Sequence, residues 1–151
     1  MTTSAEALAR LLAATDRAAG AFAAAEDELV ADLGLSSARG RVMDLLAGAP
    51  APLTVSQIAR ALGLSRQAVQ RLADDLEERG LTAYSPNPGH ARAHLTGLTE
   101  AGAAAYAEAL RRKALWLEGL SRKLTPEWID MAAELLTLTA RRVRPKSVKT
   151  G

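Results

Sequence analysis

At 151 residues the chain has room for about one domain with a real core, and 48% apolar content with only 3% aromatics makes that core one of Leu, Ala and Val. It contains no Cys, which excludes disulfides, thiolate zinc sites and thiol redox sensing. No apolar run approaches the roughly 20 residues of a membrane-spanning helix, the opening MTTSAEALAR lacks the basic start of a signal peptide, and a net charge of +2 is too small to argue for nucleic acid by itself, so a cytoplasmic protein is the expectation.

From Ala5 to about Leu33 the apolar residues Leu8, Leu11, Leu12, Phe22, Leu29 and Leu33 recur at helical spacing, and Gly34 closes that helix. Ser36 is placed to cap a second helix through about Ala47, with Val42, Leu45 and Leu46 on its inner face. Gly48 to Pro52 is a turn. Thr54 and Gln57 then have the spacing of a capping box and open a third helix, Val55 to Leu62. Gly63 makes a tight turn, Ser65 caps a fourth helix to about Arg79, and Gly80 ends it.

Leu81 to Ser85 and Ala91 to Leu98 are expected strands, joined by a Pro- and Gly-rich tip, Pro86 to His90. Thr99 caps a long helix through about Lys123, and Thr125 with Pro126 starts a last one running to about Val143. The expected fold is therefore mainly α with a small β-wing, in the order ααααββαα. Residues 35–99 form a winged helix-turn-helix within one domain of 1–151, residues 1–34 and 100–143 form helical dimerisation arms, and 144–151 form a basic tail. That tail belongs to a run of Arg141, Arg142, Arg144, Lys146 and Lys149 with no acid after Glu134. Such a run either reaches phosphates or is a solvated terminus.

A helix-turn-helix needs a small core between two short helices, here Ile58, Leu62, Leu64, Val69 and Leu72, and polar residues near the start of the second helix. Ser65, Arg66, Gln67, Gln70 and Arg71 meet the second need. Gln pairs with adenine, Arg with guanine or phosphate, and Ser with phosphate, while the helix N-terminus itself favours a phosphate. Thr54 and Ser56 stand at the start of the preceding helix, and His90 and Arg92 stand at the wing, where an Arg can enter a narrow minor groove. An ordinary helical hairpin with a solvated face would not explain why the strands and tip follow.

Leu53-Thr54, Gly63-Leu64-Ser65, Leu76-Glu77 with Gly80-Leu81, Arg92, and Leu98-Thr99 with Gly102 together resemble the winged helix of the MarR (multiple-antibiotic-resistance regulator) family. The motifs cover about a third of the chain, and the flanking helices extend the likeness to nearly all of it. The wing departs from the family pattern. His90 replaces the acid that holds the Arg, and Tyr84 and Ser85 stand where basic residues are common. Either affinity for DNA is modest or the tail compensates.

The resemblance implies a homodimer on a pseudo-palindromic operator in double-stranded DNA. It also implies a small aromatic effector between the dimer helices and the DNA-binding lobe, for which Phe22, Met43, Tyr106 and Trp116 are the candidates. The helices independently carry apolar surface that asks for a partner, including Leu110, Leu117, Leu120, Trp128, Ile129 and Leu135. No cofactor and no metal are expected. His90 and His94 are the only histidines, and on one strand they would stand roughly 13 Å apart, too far to share an ion. No nucleophile elbow or phosphate loop suggests an enzyme. The expectation is a ligand-responsive repressor; the rival is a winged-helix protein adaptor that has lost DNA binding.

Overall fold

The computed structural model describes residues 2–143. Arg144, Lys146 and Lys149 of the expected tail lie outside them. The elements run α1 (Ser4–Val30), a 3-10 turn (Ala31–Leu33), α2 (Ser37–Gly48), β1 (Leu53–Thr54), α3 (Val55–Leu62), α4 (Arg66–Glu78), β2 (Thr82–Ser85), β3 (Leu95–Leu98), α5 (Glu100–Ser121) and α6 (Pro126–Val143). The mainly helical winged fold expected from the sequence is what forms. The chain divides into two compact units, one up to Lys113 and one from Ala114 onward.

Local chemistry sets most boundaries of the first unit. Thr3 and Glu6 form a capping box at α1, and Ser36 accepts from the Arg39 amide at α2. At α3 the Gln57 amide donates to Thr54 Oγ1 (3.3 Å) and the Thr54 amide donates to Gln57 Oε1 (2.8 Å). Gly63 takes φ +66, a conformation that L side chains rarely adopt, and so turns the chain at once from α3 into the Ser65 cap of α4. The end of the first helix differs from expectation, because its last residues tighten into the 3-10 turn instead of continuing the α-helix to Leu33.

The sheet differs in two ways. β1, only two residues long, adds a third strand, and the antiparallel order is β1-β3-β2. Leu53 pairs with Thr96, and Tyr84 pairs with the same Thr96 from the other side. The expected strand Ala91–Leu98 shrinks to Leu95–Leu98, because residues before it close turns on themselves. The His90 amide donates to the Asn87 carbonyl and the Ala93 amide to the His90 carbonyl.

The core of the first unit is a cluster from α1, α2, α3 and α4, joined by Leu35 and by Leu81 just before β2. It is built on Val30, Leu35, Val42, Met43, Ile58, Val69 and Leu76. Two expectations about it are corrected. Leu64, read as part of the helix-turn-helix core, is 37% exposed, and Leu72 is only partly buried against the cluster.

Thr99 fastens α5 to the exit from α4. Its hydroxyl donates to the Gly80 carbonyl (2.6 Å) and accepts from the Gly102 amide (2.9 Å), while its own amide donates to the Leu81 carbonyl (3.2 Å). Gly102 is needed at that spot, since a Cβ there would lie 1.8 Å from the Leu81 carbonyl oxygen. Farther along α5, Arg112 reaches the 3-10 turn with a two-pronged pair to Asp32 (2.6 and 2.9 Å) and a bond to the Leu29 carbonyl.

In the second unit, α6 buries none of its residues. Trp128 is 66% exposed and Met131 67%. Among the described residues no helix is long and apolar enough to cross a membrane.

Candidate nucleic-acid interface

Val69, Ala73 and Leu76 form the buried stripe of α4. The helical period therefore turns Arg66, Gln67, Gln70 and Arg71 outward, and all four are exposed. Ser65 caps the same end by accepting from the Ala68 amide at 3.1 Å, so the positive end of the helix dipole and its polar side chains coincide. Asp75, farther along, is used internally. It pairs with Arg39 of α2 and with Arg79 (3.1 Å). The Arg39 hydrogen bond is the main reason its carboxyl sits below the ordinary carboxylate range. This pairing fixes α4 against α2.

A crevice between the start of α3, the face of α4 and the wing is lined by Thr54, Ser56, Gln70, Tyr84, Arg92 and His94, among others. It brings together Thr54, Ser56, Gln70 and Arg92 of the expected site. Ser65, Arg66, Gln67 and Arg71 lie on α4 or its cap outside that crevice, and His90 is exposed in the turns at the wing tip.

Three residues at this surface, Asp74, Tyr84 and His94, were not foreseen as part of it. Gln70 Nε2 donates to Asp74 Oδ1 (2.8 Å) and to the Tyr84 hydroxyl (3.0 Å), and that hydroxyl donates to Asp74 Oδ1 (2.6 Å). Burial and the Asp74 hydrogen bond raise the Tyr84 pKa, so its hydroxyl keeps its proton at neutral pH. The Tyr84 ring also meets His94 edge-on, with centroids 6.0 Å apart. The i, i+4 spacing of Gln70 and Asp74 was a signal available in the sequence. The approach of Tyr84 depends on how β2 packs against α4, which no local pattern encodes.

A second cavity, of about 190 Å³, lies between α1, α2 and α5. Leu29, Val30, Leu35 and Leu110 supply apolar walls, and Arg41 and Tyr106 supply polar ones. Tyr106 donates to Asp44, which with burial pushes its pKa up to about 12. Lys113 on the rim pairs with Glu26. Of the four candidate effector contacts only Tyr106 lines this cavity. Met43 is a correction: it is fully buried in the core and has no surface to offer a ligand. Phe22 and Trp116 are not among the lining residues. Among the described residues no group of three or more His, Asp or Glu is arranged to hold a metal ion.

Residues 33–93 match the family model described as MarR family. The chain is 38% identical over 95 residues to the uncharacterized protein Rv2011c of Mycobacterium tuberculosis, a match spanning 63% of this chain and 65% of that protein. The fold is similar to the transcriptional repressor CouR bound to a 23-mer DNA duplex, with 29% identity, 93% of this chain and 100% of that chain covered, and a TM-score of 0.79. It is similar also to CouR from Rhodococcus jostii RHA1 bound to p-coumaroyl-CoA, with 21% identity, 86% and 91% covered, and a TM-score of 0.69.

Proposed function

We propose that this chain, which belongs to the MarR family by the sequence of its winged helix and by its fold, is a cytoplasmic regulator that binds double-stranded DNA sequence-specifically as a homodimer and represses transcription until an effector releases it. The observation that carries this reading is the exposed polar N-terminal face of α4 beside the Arg92 crevice. In this reading α4 enters the major groove. Gln67 and Gln70 meet base edges, and Arg66 and Arg71 meet guanine or phosphate. Ser65, Thr54 and Ser56 hold phosphates, and His90 and Arg92 address the adjacent minor groove. Two copies would present two α4 helices to half-sites about one helical turn, roughly 34–36 Å, apart.

The dimer is supported by the apolar side chains that α1 and α6 leave exposed, among them Leu12, Phe22, Trp128, Ile129 and Leu138. The effector site is the cavity at Tyr106. Its volume is below the about 300–1,000 Å³ of drug-sized pockets, which suits a small aromatic molecule or one that enlarges the cavity on binding. A ligand there bridges α1, α2 and α5. It shifts the population toward a half-site spacing that no longer fits the operator. The DNA-bound and p-coumaroyl-CoA-bound structures of CouR support a two-state reading of this kind.

Selection of bound duplexes from random DNA, followed by a salt-dependent gel shift on the recovered sequence, tests the function. A specific complex that weakens steeply with salt is expected. The adaptor reading draws on one observation, that Arg92 is the only Lys or Arg between Thr82 and Leu98. It requires that no sequence be enriched.

A further inference from the structure

The amide of Gln70 has a single chemically consistent orientation. Its Nε2 faces an Asp74 carboxylate oxygen at 2.8 Å and the Tyr84 hydroxyl at 3.0 Å. Turned over, the amide would set its oxygen against the carboxylate, and the one hydroxyl proton of Tyr84 would face two acceptors. The Gln70 Nε2 thus makes both of its hydrogen bonds within the protein, to two oxygens that lie 2.6 Å apart. The Tyr84 hydroxyl completes the triangle by donating to Asp74 at 2.6 Å. The triangle is held from outside as well. Tyr84 is paired with Thr96 in the sheet and packed edge-on against His94, and Asp74 and Gln70 are one turn apart on α4. Of the Gln70 amide, the carbonyl oxygen Oε1 takes no part in it.

A glutamine that reads adenine in the major groove uses both ends of its amide, donating to N7 and accepting from the N6 amino group. The Nε2 of Gln70 is turned to Asp74 and Tyr84 and is not presented to a base. Its oxygen can accept from an exocyclic amino group, which adenine presents as N6–H2 and cytosine as N4–H2. Guanine and thymine present only acceptors, N7 and O6 or O4, on the same edge. We propose that Asp74 and Tyr84 are specificity-determining positioning residues that convert Gln70 into an acceptor-only reader, selecting an amino base, adenine or cytosine, over guanine or thymine at one position of each half-site. This rests on the DNA-binding reading above and refines it.

The test is selection from random duplex DNA with the full chain in four forms: unaltered, Gln70→Ala, Tyr84→Phe and Asp74→Ala. Loss of preference at one column in Gln70→Ala identifies the position that Gln70 reads. In the unaltered protein that column should favour adenine and cytosine together by roughly tenfold over guanine and thymine. Tyr84→Phe keeps the ring in the sheet and frees one N–H. Asp74→Ala frees the other, leaving Gln70 Nε2 with the Tyr84 hydroxyl alone. Each variant should move that column alone toward adenine over cytosine. Three results would overturn the proposal: no column that depends on Gln70, a column that reads adenine alone or a keto base in the unaltered protein, or a column unchanged by both Tyr84→Phe and Asp74→Ala. Failure to enrich any sequence with any form would instead overturn the DNA-binding reading, and this inference with it.

Discussion

The hydroxyls of Thr82 and Thr96 are buried without a hydrogen-bond partner among the described residues. An unmet buried hydroxyl costs about 1–3 kcal/mol, so Thr96→Val, which replaces that hydroxyl by a methyl in a strand position suited to Val, should raise stability by about 1 kcal/mol. Urea unfolding measures it, and a lower midpoint would mean that the hydroxyl is satisfied in solution. Gly102 gives the opposite sign. A methyl there would meet the Leu81 carbonyl oxygen at 1.8 Å, so Gly102→Ala should destabilise the fold by about 1–3 kcal/mol by forcing the start of α5 away from β2. An unchanged midpoint would contradict that geometry. At the wing, Arg92→Ala should weaken DNA binding most on A·T-rich flanks, where the minor groove is narrow. Equal affinity on all flanks would make Arg92 a solvated side chain.

At the scale of elements, junctions formed by local chemistry were legible in the sequence. The Thr54–Gln57 box, the Ser65 cap and the bond from the Gly102 amide to Thr99 join residues three positions apart whose side chains satisfy nearby backbone groups, and the Gly63 turn needs a residue at ease with positive φ. Features that depend on distant pairing were not. β1 is too short to show a period and exists because β3 lies beside it. Met43 sits among apolar neighbours that only the packed fold supplies, and the Tyr84 triangle needs β2 set against α4. The junction of α5 with the 3-10 turn makes a pH prediction. Hydrogen bonds from Arg111 and then Arg112 hold the Glu108 carboxyl at about 2, and Arg112 likewise lowers Asp32. A carboxyl whose pKa is depressed by folding adds stability above its unfolded value, near 4.5 for Glu, and that stability is lost as pH falls toward 2. Glu108→Gln should therefore flatten the loss of stability between those values, as read by urea midpoints across pH. Identical pH profiles for the variant and the unaltered protein would show that these exposed pairs add nothing.

In the proposed regulator the winged lobe reads DNA and apolar helices pair two copies. The lobe is fixed internally by the Asp75 pairs and by the Thr99 staple, so α4 and the wing are held for one docking geometry. Leu12 is exposed on α1 in the first unit, and Trp128, Met131 and Leu138 are exposed on α6 in the second, apolar surface of the kind a second copy covers. Sedimentation at micromolar concentration should therefore give a dimer, and removal of residues 1–12 should weaken it; a monomer would remove the two-half-site mechanism. Fluorescence anisotropy at physiological salt shows whether this fold reads DNA sequence as a pair of copies. The titration compares a duplex recovered by selection with a scrambled duplex of the same composition. The selected duplex should bind at least about a thousandfold more tightly, with two chains on each duplex. Equal binding of the two duplexes, or binding to neither, would contradict that expectation.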